Sequence, residues 1–272
     1  MGRKIGYIIL VIAVTAFLFY LEEKQPEPPL SMEATENSSE VQISAEFGSE
    51  FLPKANGQLI IYKLHALSYL EEHEQAEWVA YSLRPEHLSK KKYKRPYFED
   101  DPAVKTGSAR FYNYKNSAYN KGHLLPAADR KQSVEAYNQT FLLSNVSPQD
   151  PGFNSGIWNR LEQKVRYWAK KHDGVYVVTG GVLTDGLPSI GEEDVSVPAY
   201  FYKIVVDNSD SNPRAIAFLI PNEKLSDSFY EYVVTIDRLE EETGIDFFVG
   251  LNPEVETKLE GEQPLAYWKE EL

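Results

Sequence analysis

Cysteine is absent from all 272 residues. This excludes disulfides, thiolate zinc sites and cysteine nucleophiles together, so any bound metal must draw on oxygen or imidazole ligands. Positive charge is also scarce: 28 Lys and Arg stand against 41 Asp and Glu, a formal net charge of −13. Such a balance argues against a broad embrace of a polyanion but not against a local one, because nucleic acid responds to the nearby field. One dense basic run, Lys90-Lys91-Lys92-Tyr93-Lys94-Arg95, reads first as a solvated loop and becomes a phosphate contact only with support from elsewhere.

Long apolar stretches are limited to one. Ile5–Leu21 follows Arg3 and Lys4 and ends at Glu22; as a helix it would span roughly 25 Å, the short limit for a bilayer. Phe17 to Leu21 are bulky and offer no small-x-small cleavage site, so residues 1–21 are expected to be an uncleaved signal anchor, with a cleaved signal as the alternative. Residues 22–54 are rich in Glu, Ser and Pro without apolar periodicity and are expected to form a disordered acidic tether. With 42% apolar content overall, the remainder, 55–272, suffices for one larger domain. The expected location is outside the cytoplasmic membrane of a bacterial envelope, anchored through residues 5–21, or secreted if the signal is cleaved.

Within that domain Leu59–Leu64, Glu77–Leu83, Val175–Thr179, Tyr200–Val206 and Ala215–Ile220 read as strands, being rich in Val, Ile, Tyr and Phe. Ser155–Lys171 and Ser226–Glu242 read as helices. The alternation is too irregular for a doubly wound parallel sheet, which leaves an α+β fold with a largely antiparallel central sheet flanked by helices.

Of five histidines, four sit among charged or amphipathic neighbours, whereas His123 lies in Asn120-Lys121-Gly122-His123-Leu124-Leu125-Pro126-Ala127-Ala128-Asp129. A Gly before it permits an unusual backbone and a Pro after it ends the extended segment, so one imidazole would be presented with little freedom. A histidine in a tight loop without a role is the competing reading. Farther on, Asn154, Trp158, Glu162 and Arg166 are each four apart and would share one side of a helix. Ile157, Leu161, Val165 and Trp168 would form the adjacent docking stripe. Asn154 would offer an amide oxygen at the helix start; an N-cap Asn with a surface ion pair explains the same residues without any chemistry.

The segments Asn120–Asp129 and Ser144–Arg166 closely resemble the DNA/RNA non-specific endonucleases, the ββα-metal or His-metal finger nucleases that include endonuclease G. That family carries Asp-Arg-Gly-His before a Pro-Ala-Ala-like turn. It then has an Asn and, nine residues later, a metal-binding Asn opening a helix with Glu and Arg. Asn145 and Asn154 keep the nine-residue spacing, and Glu162 and Arg166 fall in the matching places. The likeness continues through Val178-Thr179-Gly180-Gly181, Ala217–Asn222 and Thr243–Phe248. Two positions depart: Asn120-Lys121 replaces Asp-Arg, which loses a carboxylate charge and the planar fork that grips phosphate with two hydrogen bonds.

The resemblance implies a ββα-metal finger fold and a magnesium- or manganese-dependent endonuclease acting on DNA and RNA without sequence specificity. His123 would be the general base, with a neutral imidazole near its ordinary pKa of ~6.5, and Asn154 the protein ligand to the metal. Glu162 would orient metal-bound water, Asn145 would support the site geometry, and Arg166, Lys121 and Arg95 would neutralise phosphate charge. A homodimer is left open, and no protein inhibitor is indicated. Two rival readings remain: a catalytically weakened nucleic-acid-binding relative, and a cell-surface phosphodiesterase for small nucleotides.

Overall fold

The computed structural model describes residues 49–208 and 212–270. The expected membrane segment 5–21 and most of the expected tether lie outside the described residues. Among the described residues no helix is long and apolar enough to cross a membrane. Residues 49–54, assigned to the tether from composition, belong to the folded part instead. They open with a 3-10 turn at Ser49–Phe51, and Phe51 and Leu52 are buried in the core.

Seven strands form one antiparallel sheet: β1 (Gln58–Ile61), β2 (Ala66–Leu70), β3 (Gln75–Leu83), β6 (Val175–Gly181), β9 (Tyr200–Asp207), β10 (Arg214–Pro221) and β11 (Val233–Val234), adjacent in that order. The alternation of side chains builds a core on each face. Val79, Tyr81 and Leu83 of β3 join Val177, Val205, Ile216 and Phe218 on one side. Trp78 and Ala80 join Val178, Ile204, Val206 and Ala217 on the other. A strand buried on both faces reads as a continuous apolar run, which is why β3, β6, β9 and β10 were legible from their residues.

Helix α3 (Asn159–Lys171) covers the first face through Leu161, Val165 and Trp168. Helices α4 (Ile236–Thr243) and α5 (Pro253–Gly261) cover the second through Ile236, Leu239 and Leu259. The expected helix Ser226–Glu242 is only half right. Phe229–Tyr232 is a 3-10 turn, and Val233-Val234 adds to the sheet edge beside β10. The α-helix starts after Thr235, whose hydroxyl accepts from Arg238 N. Two β-branched valines before a capping threonine favour the strand and then the cap over a continuous helix.

The site-bearing strands form a sheet of their own. Strands β4 (Asn120–His123) and β5 (Val146–Gln149) form an antiparallel pair, with His123 opposite Val146 and Asn120 opposite Gln149. The chain leaves β5 directly into a short helix, α2 (Pro151–Phe153), a π-helical turn at Asn154–Trp158, and α3. Helix α1 (Val134–Gln139) lies in the connection between β4 and β5, and a separate two-stranded ribbon joins β7 (Ser189–Ile190) to β8 (Val195–Ser196).

Candidate active site

Gly122 lets the paired strand's Gln149 side chain lie close against the backbone. A Cβ on it would lie 2.1 Å from the Gln149 side chain on the paired strand, and its backbone is not left-handed, so the expectation of an unusual conformation is corrected to one of close approach. His123 ends β4 with its ring 5.3 Å from Phe98 and 5.0 Å, edge-on, from Phe141. Its Nε2 is buried with no hydrogen-bond partner. Burial, and secondarily the Arg95 charge, lower its pKa to about 4.

The turn beyond His123 is clamped by Asn145. The Asn145 Oδ1 accepts from Leu125 N at 2.8 Å, and its Nδ2 donates to Leu125 O at 3.0 Å and Thr140 O at 2.8 Å. The side chain is fully buried, and these bonds commit its amide to protein. Asn145 thus fixes the backbone that carries the imidazole, a positioning role.

Two cations gather around the same aromatic group. Lys121 Nζ lies 4.6 Å from the Phe111 ring centroid, 5.4 Å from Tyr114 and 5.9 Å from Phe98. The Arg95 guanidinium stands 5.7 Å from Phe98 and 5.5 Å from Phe141. Desolvation first, and then Arg95, lowers the Lys121 pKa. The chain is acidic overall, yet positive charge is concentrated beside the imidazole.

Asn154 is not a helix cap. Asp150 caps the helix, its Oδ1 accepting from Gly152 N at 2.7 Å and Phe153 N at 3.0 Å, so the helix begins at Pro151 rather than at Ser155. The Asn154 side chain is half-buried and, among the described residues, takes part in no hydrogen bond. Next to it Gly156 departs from helical geometry, with φ −98° and ψ −108°. This π turn interrupts the four-residue spacing between Asn154 and Trp158; Trp158 is fully buried, stacked 5.1 Å from Phe153, and lies with Glu162 beside Lys203. Single π turns recur at functional sites because they re-aim side chains without ending the helix.

Glu162 and Arg166 are neighbours on α3, 3.8 Å apart, but the closer partner of Arg166 is Asp129, at 2.9 Å and almost fully buried. Burial pushes the Glu162 carboxyl upward, against the charge of Lys203. Lys203 is itself fully buried on β9; its Nζ donates to Thr179 Oγ1 at 3.0 Å and lies 4.5 Å from the Trp158 ring. Two site groups follow: Arg95, Lys121 and His123 around Phe98 and Phe141, and Asp129, Glu162, Arg166 and Lys203 under α3. The seven residues from His123 to Asp129, held by Asn145, connect them.

Several members of this arrangement escaped the sequence reading. Asp129 closes the first motif, yet its pairing with Arg166 needs the fold to be seen. Lys203 had a signal, a lone charge inside the apolar run Tyr200–Val206. Asn222, at the end of a segment noted only for likeness, accepts from Asp150 N at 2.8 Å and donates to Pro148 O and Pro198 O. It thereby ties the start of the site helix to the main sheet.

A family model described as DNA/RNA non-specific endonuclease matches residues 43–254. The mitochondrial nuclease EXOG of Danio rerio is 33% identical over 256 residues, covering 86% of this chain and 70% of that protein. A nuclease of Nostoc sp. is 33% identical over 214 residues, covering 74% and 77% respectively. Human mitochondrial endonuclease G is 30% identical over 217 residues. Among solved structures, a crystal structure of the EndoG/EndoGI complex superposes with a TM-score of 0.68 at 27% identity, covering 73% of this chain and 88% of that one.

Proposed function

The chain belongs to the DNA/RNA non-specific endonucleases and is a nuclease of that metal-dependent family, and we propose that it hydrolyses phosphodiester bonds in both DNA and RNA with magnesium, using His123 as general base. The observation that carries this reading is the His123 ring nitrogen: buried, unpartnered, and flanked by Phe98 and Phe141. A buried polar atom without a partner is costly, and that cost is offset when the nucleophilic water hydrogen-bonds to the nitrogen, the contact through which the base takes its proton. The lowered pKa keeps the ring neutral at ordinary pH, as a base must be.

The residues present fit a hard divalent ion. Asn154 has an amide oxygen that no hydrogen bond occupies among the described residues, because Asp150 does the capping. Glu162 is a carboxylate whose buried charge a nearby cation would favour. Asn154 would hold the ion directly and Glu162 would orient its water shell, since magnesium retains several waters. When bound, the ion supplies counter-charge to the phosphate and acidity for the departing oxygen.

The other steps rest on the chain's own groups. Lys121 and Arg95 receive the phosphodiester beside His123. Arg166, oriented by Asp129, adds charge from the α3 side. The residues assigned here meet phosphate rather than base edges, so cleavage is sequence-tolerant in this reading. Incubating the full chain with plasmid DNA and with RNA, in magnesium and in EDTA, tests this reading. Nicking of both polymers in magnesium alone is expected; nicking that persists in EDTA would remove the metal from the account.

We further infer export, with Ile5–Leu21 as anchor. The basic flank before that run and its apolar length support the reading, as does the hazard of an unselective nuclease beside its own genome. Protease treatment of intact spheroplasts should degrade the domain; full protection would overturn export.

A further inference from the structure

On the face of the sheet opposite α3, the α4–α5 corner holds a carboxylate that the reaction does not use. Glu260 is only 8% exposed, its Oε1 is buried without a hydrogen-bond partner, and it lies near the end of α5 beside Leu259 of the core. The charged groups that act on it most are all acidic: Glu240 and Asp237 from α4, Asp246 from the segment after α4, and Glu256 from its own helix. The basic residues on these helices are engaged elsewhere, Arg238 with Glu241 and Glu242 and Lys258 with Asn212.

Three of these acids converge. Asp237, Glu240 and Glu260 each offer an oxygen, and the three atoms lie within 4.8 Å of one another. One Glu240 oxygen accepts from Phe247 N at 2.9 Å, which fixes the carboxylate. Burying an unpartnered carboxylate among like charges is strongly unfavourable unless a proton or a cation compensates. Calcium takes six to eight oxygens at ~2.3–2.6 Å and so accommodates ligands up to ~5 Å apart across the ion; magnesium demands a tighter octahedron at ~2.0–2.1 Å.

We propose that Asp237, Glu240 and Glu260 form a second divalent-cation site, suited to calcium, that pins α5 to α4 and stabilises the domain without entering the reaction. Water completes the shell on the side of Asp237, which is exposed. In the absence of the ion, burial and the surrounding acids hold Glu260 up at about 8, as expected of a carboxyl with no cation beside it.

The test is thermal unfolding of the full chain carrying Asn154→Ala, so that the active-site metal does not contribute, in millimolar CaCl2 and in chelator. Calcium should raise Tm by several degrees through binding to the folded state alone. The rise should vanish in Glu260→Gln and also in Asp237→Asn, which changes an exposed residue and so leaves folding intact. In chelator Glu260→Gln should be about as stable as its parent, because without the ion the carboxyl it replaces is held largely protonated. An unchanged Tm in calcium, or a rise that survives either substitution, would overturn the site.

Discussion

His123 and Glu162 have their pKa values moved in opposite directions by the same cause, loss of water. The imidazole is lowered to about 4 and the carboxyl is raised above its usual range. The sign follows for each. Glu162 must be charged to orient a hydrated ion, and a bound cation favours that charge; His123 must be neutral, and burial keeps it so down to about 4. Titration of the metal-free protein should therefore show Glu162 protonating above the ordinary carboxylate range, with magnesium lowering that midpoint, and in Glu162→Gln the residual activity should persist to about pH 4–5. A limb near 6.5 in that variant would mean the imidazole is solvated and the packing against Phe98 and Phe141 misread. His123, Asn145, Asn154, Glu162 and Arg166 were named from the sequence through the family resemblance of their motifs, and their roles stand as proposals. Asp129 and Lys203 were not assigned, since a buried partner is revealed only when distant segments meet.

The helix that carries Asn154 shows where pattern arithmetic stops. Four-residue steps put Asn154, Trp158, Glu162 and Arg166 on one side, but the π turn at Asn154–Trp158 interrupts the first of those steps, and Trp158 is fully buried. A Gly at 156 was the only local hint, and one Gly does not announce a π turn. The strands were easier, because burial on both faces leaves long apolar runs, whereas β2 (Ala66–Leu70), broken by Ser68, was not read as a strand. Asn145 is the hinge pin of the β4–β5 pair. Asn145→Ala strands Leu125 N without its side-chain acceptor and frees the turn, so denaturant unfolding should show a loss of at least ~1–3 kcal/mol, with kcat reduced more than KM is raised. An unfolding midpoint equal to wild type would show that the clamp contributes nothing. Asp150→Ala removes the acceptor for two backbone N–H groups and should cost about 1 kcal/mol in the same measurement; no loss would mean that another group caps α2.

At the scale of the molecule, a net charge of −13 coexists with a basic corner formed by Arg95 and Lys121 and preceded by Lys90–Lys94. Binding to a DNA duplex should weaken steeply with salt, and Lys121→Gln or Arg95→Gln should each reduce the slope of log Kd against log salt by about 1. An unchanged slope in both variants would place the substrate elsewhere. The central claim is that the large sheet and the ββα unit together hold one imidazole as base, and chemical rescue tests it most directly. In magnesium, His123→Ala should lose ~10²–10⁴-fold in plasmid nicking with the fold intact. Free imidazole should then restore part of that loss, in proportion to its neutral form as pH is varied. More than a tenth of wild-type activity in the unsupplemented variant would contradict the claim.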